Sequence, residues 1–232
     1  MQFMLVFNES QGTHAPTPEG MAVMGKYAQE LARAKKLLRG FPLAAATEGA
    51  TARVRDGKAF VVDGPFPETK EHVAGVWIIE AADRAEALEI AKRCPHTSPG
   101  RTTEVHAIGG RYVFEDSEKG RPFILVFHLE PGFVPDPAKG REMMEFGTTL
   151  VRDGVQFETA HLGGPEPRGR LEAKDGKILV TDGPFAETKD LVGGYSLVRA
   201  EGRAEAIDLA KRFPHAKWGP VEVREILFFD RI

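Results

Sequence analysis

The stretch Asp63-Gly64-Pro65-Phe66-Pro67-Glu68-Thr69-Lys70 returns 119 positions later as Asp182-Gly183-Pro184-Phe185-Ala186-Glu187-Thr188-Lys189. A match of that length at a fixed spacing marks an internal repeat, and the repeat organises the chain before any local reading. At the same offset Asp56-Gly57-Lys58 meets Asp175-Gly176-Lys177, Arg84-Ala85-Glu86-Ala87 meets Arg203-Ala204-Glu205-Ala206, and Pro95-His96 meets Pro214-His215. Phe3 to Phe7 answers Phe123 to Phe127, and Glu104-Val105 answers Glu222-Val223, at offsets of 120 and 118 that require small loop changes. Two tandem copies result, 1–109 and 122–232, joined by the polar, glycine-containing stretch 110–121 as linker.

Within the first copy, Phe3 to Phe7 predicts a short apolar strand. Thr17 can cap a helix that starts at Pro18 and is expected to run through Met21, Met24, Leu31, Leu37 and Leu38 until Gly40 stops it. Leu43 to Thr47 reads as a second strand, and Thr51 to Arg55 with Lys58 to Val62 flank the hairpin signal Asp56-Gly57. Val73 to Ala81 reads as a strand, Arg84 to Arg93 as a helix ended by Pro95, and Glu104 to Ile108 as the last strand. The second copy repeats the order, with a helix from Pro137 to about Arg152 and a hairpin turning at Asp175-Gly176.

Setting the extra hairpin aside, this is β-α-β-β-α-β, an α+β, ferredoxin-like order with two helices on one sheet face and the other face open. The open faces need burial, so the two domains are expected to pair sheet to sheet as a dimeric α+β barrel within one chain, an intramolecular pseudo-dimer. A further homodimer stays open.

The 232 residues are 42% hydrophobic and 28% charged with a formal net charge of −3, a composition unlike that of disordered chains. Near-balanced charge gives no reason to expect nucleic acid or an anionic membrane as partner. With one cysteine, Cys94, and neither a leader pattern nor a long apolar run, a soluble cytoplasmic protein is expected.

The two Asp-Gly-Pro-Phe-x-Glu-Thr-Lys segments, each in the same strand and helix context, resemble the DGPF branch of the YCII-related domain family over nearly the whole chain, twice. The resemblance implies the dimeric α+β barrel fold and no settled activity. Some members are suspected of isomerisation or elimination, and many are encoded beside or fused to sigma factors of the extracytoplasmic-function type. Relatives in the wider family carry a histidine on the first helix, paired with an aspartate as a suggested active site. This chain has Glu30 and Met143 or Met144 near that place, so the dyad does not carry over.

Asp63 and Asp182, each followed by Gly-Pro, can aim a carboxylate into a cleft as a general acid or base; the competing and plainer reading is a turn-holding carboxylate. Glu68, Lys70, Glu187 and Lys189 are candidate ligand-binding residues on the rim, or a solvated loop. His161, ending a strand before Gly163-Gly164, is a third catalytic candidate, present in one copy only. His96 and His215, each after a helix-ending proline, read as surface residues at a helix C-terminus. No histidine spacing suggests a metal, and no phosphate loop, serine elbow or Cys-x-x-Cys pair suggests a cofactor. The leading expectation is a small-molecule-binding barrel with cofactor-independent isomerase or lyase chemistry on a motif aspartate. The rival is a non-catalytic accessory protein associated with a sigma factor.

Overall fold

The computed structural model describes residues 1–10, 17–64, 71–130, 133–134, 136–163, 168–183 and 191–227. In the first copy β1 (Gln2–Ser10), α1 (Pro18–Arg33), β2 (Leu37–Pro42), β3 (Ala50–Arg55), β4 (Lys58–Asp63), β5 (Glu71–Glu80), α2 (Arg84–Arg93) and β6 (Arg101–Val113) follow in order. The second gives β7 (Arg121–Leu129), α3 (Pro137–Arg152), β8 (Gln156–Leu162), β9 (Gly169–Lys174), β10 (Lys177–Asp182), β11 (Leu191–Ala200), α4 (Arg203–Arg212) and β12 (Val221–Glu225). The α+β element order expected from the sequence is present in both copies. No helix among the described residues is long and apolar enough to cross a membrane.

Local chemistry sets the boundaries. Thr17 Oγ1 accepts from the Gly20 amide at 3.1 Å and starts α1. α1 ends at Arg33, not at Gly40, because Lys35 turns left-handed (φ +55) and its successor's amide returns to Leu31 O at 2.7 Å. The second strand therefore begins at Leu37, opposite Ile79, and a short 3-10 turn occupies Ala46–Glu48 where strand was expected. β6 runs on into the first residues of the stretch expected as linker, because Gly110 to Val113 pair with β8.

β1 is buried on both faces, as its unbroken apolar run requires. Phe3, Leu5 and Phe7 pack with Tyr27 and Leu31 of α1 and Ala87 of α2, whereas Met4 and Val6 meet Ile124, Val126, Tyr195 and Leu197 of the second copy. All strand pairing is antiparallel, in the order β2-β5-β1-β6-β8-β11-β7-β12-β3-β4, with the β9–β10 hairpin attached to β6. A bridge between Leu43 and Ile226, flanked by Ala44 N–H to Glu225 O and Leu227 N–H to Pro42 O at 2.9 Å each, links the end of β2 to the end of β12.

The hairpins are exchanged. β3 of the first copy pairs with β12 of the second (Ala52 opposite Val221, Ala50 opposite Val223), and β9 of the second pairs with β6 of the first (Leu171 opposite Thr103, Gly169 opposite Val105). Ala50 and Ala52 fill the second copy's helix-side core and Leu171 fills the first copy's. This reciprocity brings side chains from both copies to each candidate site.

Candidate functional site

The motif aspartates stand where the exchanged hairpins end. Asp63 forms an ion pair with Arg203, the first residue of α4, and Asp182 with Arg84, the first residue of α2, so each motif is tied to the other copy's helix. Arg203 also donates from Nε to Glu48 O and from Nη2 to Gly49 O, both at 2.8 Å. The Asp63 and Asp182 side chains are 71% and 63% exposed, on the surface rather than in an enclosed cavity. Gly64 is needed for close approach, since a Cβ there would stand 1.9 Å from Ala46 O.

His161 is exposed on β8, its ring lying over Gly109 and Gly110, where an added Cβ would come within 2.8 and 2.5 Å of it. Glu68, Lys70, Glu187 and Lys189 lie outside the described residues. His96 and His215 are corrections to the surface reading. His215 is buried and His96 half-buried, each with Nε2 on a strand carbonyl, His128 O at 2.9 Å and Asn8 O at 3.1 Å, and burial lowers both pKa values.

The enclosed polar groups lie elsewhere. In the register of β1 with β6, Glu104 is opposite Val6 and His106 opposite Met4, so both share the inward face. Glu104 Oε2 is 2.8 Å from His106 Nε2, and its Oε1 accepts from Asn8 Nδ2 at 3.3 Å and from Arg170 Nη1, on the exchanged hairpin, at 3.2 Å. Burial pushes the Glu104 carboxyl up, but the hydrogen bond and charge of His106, with Arg170 and Arg168, outweigh it and hold the group below its ordinary value. An ionised Glu104 accepts a hydrogen bond from His106 Nε2–H and leaves Nδ1 as the second ring nitrogen. That atom is buried and has no hydrogen-bond partner among the described residues.

The second copy builds the same place differently. Glu222 accepts from His128 Nε2 at 2.9 Å and from Arg224 Nη1 at 3.0 Å. Burial raises this carboxyl, yet the His128 hydrogen bond and the Arg224 charge prevail and bring it down to about 2. Arg224 is itself fully buried and donates to Val73 O at 2.7 Å and Ala44 O at 3.1 Å across the seam.

A third carboxylate, Glu158, accepts from Tyr195 Oη at 2.6 Å and from Arg111 Nε and Nη2 at 2.7 and 2.9 Å, and forms an ion pair with Arg39 Nε at 3.5 Å. Burial, then the Glu158 charge, raises the Tyr195 phenol well above its ordinary value. A pocket of about 460 Å³ opens near Arg39, lined also by Phe114, Asp116, Glu118 and Phe157. Glu158 and Arg39 are equivalent positions of the two copies, so the pair spans the relation between them. The two copies differ on the inner face, where Val76 stands in one and Tyr195 in the other.

Sequence reasoning used Glu104 and Glu222 only to align the copies. The signal for more was there: Thr102-x-Glu104-x-His106 alternates in phase with the buried face of a strand, in a context where an unpaired carboxylate would be costly.

The YCII-related domain model matches this chain twice, over residues 1–108 and 136–230, and the chain belongs to that family. An uncharacterised protein of Rhizobium meliloti (strain 1021) is 38% identical over 78 residues, 34% of this chain and 60% of that protein's length. Among solved structures, a Fusobacterium nucleatum protein provisionally named a monooxygenase matches 99% of this chain and 94% of its own at 11% identity and a TM-score of 0.46. An anthrone oxidase-like protein matches 99% and 92% at 8% identity and a TM-score of 0.40.

Proposed function

We propose that this YCII-family chain binds a small molecule inside an α+β barrel formed by its two copies, and performs cofactor-independent proton transfer of the isomerase or lyase kind with the Glu104–His106 pair. The observation that carries the reading is the buried His106 ring, oriented by Glu104 through Nε2 with Nδ1 left without a described partner. A carboxylate that holds one ring nitrogen fixes the tautomer and leaves the other as a base. His106 Nδ1 would take a proton from substrate carbon, Glu104 would stabilise the imidazolium, and return of the proton to a neighbouring carbon would complete an isomerisation. Loss of a leaving group would instead complete an elimination. On this reading Asp63 and Asp182 are latches for the exchanged hairpins.

A thermal-shift screen against metabolites tests it, because a ligand bound only by the native state raises the melting temperature. Hits should vanish in His106→Gln and persist in Asp63→Asn and Asp182→Asn. Hits lost only in the aspartate variants would return the chemistry to the motif.

A second reading, a protein-binding accessory role with a sigma factor as partner, is favoured by one observation. The outer hairpin strands expose Phe60, Val62 and Leu179, about half of each side chain's residue surface, beside strand edges able to accept another strand.

A further inference from the structure

Register equates Arg168 and Gly49 in the exchanged hairpins, since Gly169 pairs with Val105 as Ala50 pairs with Val223. It likewise equates His106 with Arg224, two residues beyond Glu104 and Glu222. Each buried glutamate thus has one extra guanidinium near it, but from opposite sources. At Glu222 it comes from the same strand as Arg224, whose Cδ lies 2.6 Å from the point a Cβ on Gly49 would take. At Glu104 it comes from the other copy's hairpin as Arg168, which precedes Gly169, the partner of Val105, and so stands at the level of His106.

The two halves differ in their guanidinium groups. Arg224 spends its donors on Ala44 O, Val73 O and Glu222, so the second half has no guanidinium left over to hold an anion. In the first half, Arg168 Nη1 and His106 Nδ1 are buried atoms without hydrogen-bond partners among the described residues, and the His106 side chain is 1% exposed. Leaving such atoms unpaired costs about 1–3 kcal/mol each, so both are groups a ligand can satisfy. A guanidinium can only donate, which selects an acceptor, and charge favours an anionic one. The carboxylates Glu104 and Glu71 are already matched, both by Arg170.

We propose that the Glu104 half alone binds ligand, that the ligand is a small carboxylate anchored on Arg168 and presented to His106 Nδ1, and that Arg224 seals the Glu222 half, giving one ligand per chain. This rests on the reading that the interior binds the small molecule, and adds to it the ligand's charge, the anchoring residue and the stoichiometry.

The test uses the full chain and acetate, pyruvate, malonate and succinate as probes, each beside its neutral amide, first by thermal shift and then by titration calorimetry. The expected result is that at least one carboxylate raises the melting temperature while its amide does not, with a stoichiometry of one. Arg168→Gln should weaken that carboxylate at least tenfold, and Arg168→Lys, which keeps the charge, should weaken it less. The proposal is overturned if no carboxylate binds, if amides bind equally well, if two ligands bind per chain, or if Arg168→Gln binds normally. The carboxylate–amide contrast in the unmodified chain holds even if the Arg168 variants fold poorly. Neutral metabolite hits that depend on His106 but not on Arg168 would sink this proposal and leave the proposed function standing. Hits indifferent to His106 would sink that function itself.

Discussion

Burial of His215 should make the protein acid-sensitive in a defined window. The ring is 6% exposed, with Nε2 on His128 O at 2.9 Å and its face 5.1 Å from Phe127. Burial, with the nearby His128 and Lys139 charges, lowers its pKa from 6.5 to about 4 against the His128 carbonyl bond that favours protonation. Below pH 6.5 the unfolded chain takes up a proton that the folded chain refuses until about 4, so stability is full above 6.5 and falls as pH falls through that interval. At about 1.4 kcal/mol per pKa unit the whole interval is worth about 3 kcal/mol, and about 2 kcal/mol is gone by pH 5. Urea unfolding from pH 8 to pH 5 on the wild type and His215→Gln measures it. The glutamine amide can still donate to the carbonyl but does not titrate, and the lowered His72 and His96 are common to both proteins. Glu222 titrates below this window. The wild type should lose about 2 kcal/mol more than the variant over this range; parallel profiles would refute the assignment, whatever their absolute levels.

Arg224→Met should destabilise by about 3–5 kcal/mol in urea unfolding, because it leaves the buried Glu222 carboxylate without its guanidinium and two seam carbonyls without donors. Asp63→Asn and Asp182→Asn should each cost less than about 1 kcal/mol, the range of exposed ion pairs; a much larger loss would show that these latches hold more than a surface contact. Burial pushes the Cys94 thiol up to about 12, so iodoacetamide at pH 8 should label it in denaturant and barely at all in the native chain.

Most of the element order was legible because the punctuation is local: Asp56-Gly57 and Asp175-Gly176 turn hairpins with left-handed backbone at all four residues. The end of α1 was not, because Lys35 fills the left-handed position that Gly154 fills in the other copy. Only the comparison of copies carries that signal, and Leu37 and Leu38 continue the helical period past it. Hairpin exchange was beyond the sequence for another reason. β3 and β9 would satisfy the same alternation against either copy's last strand, and the choice is made by tertiary packing of Leu171 and Ala50. The inner carboxylates were hidden by being read as markers of the repeat. Their partners, Asn8, His128 and the hairpin arginines, come from strands distant in sequence.

The exchange also predicts how the halves recognise one another. A dimer of two second copies would bring Arg168 to the place of Gly49, where Arg224 Cδ leaves no room even for a Cβ. A dimer of two first copies would bring Gly49 and Thr51 to Glu104 in place of Arg168 and Arg170, stripping a buried carboxylate of its guanidinium partners at about 3–5 kcal/mol per site. Both homodimers are therefore penalised, and the mixed pair is the one in which each glutamate keeps guanidinium neighbours without a clash. Expressed separately, residues 1–114 and 120–232 should fold poorly, since each lacks the hairpin that fills its helix-side core. Mixed during refolding, they should assemble as a one-to-one complex, read by native mass spectrometry. Homodimers of either half forming as readily as the mixed pair would show that the Arg168–Gly49 and His106–Arg224 differences do not set the pairing.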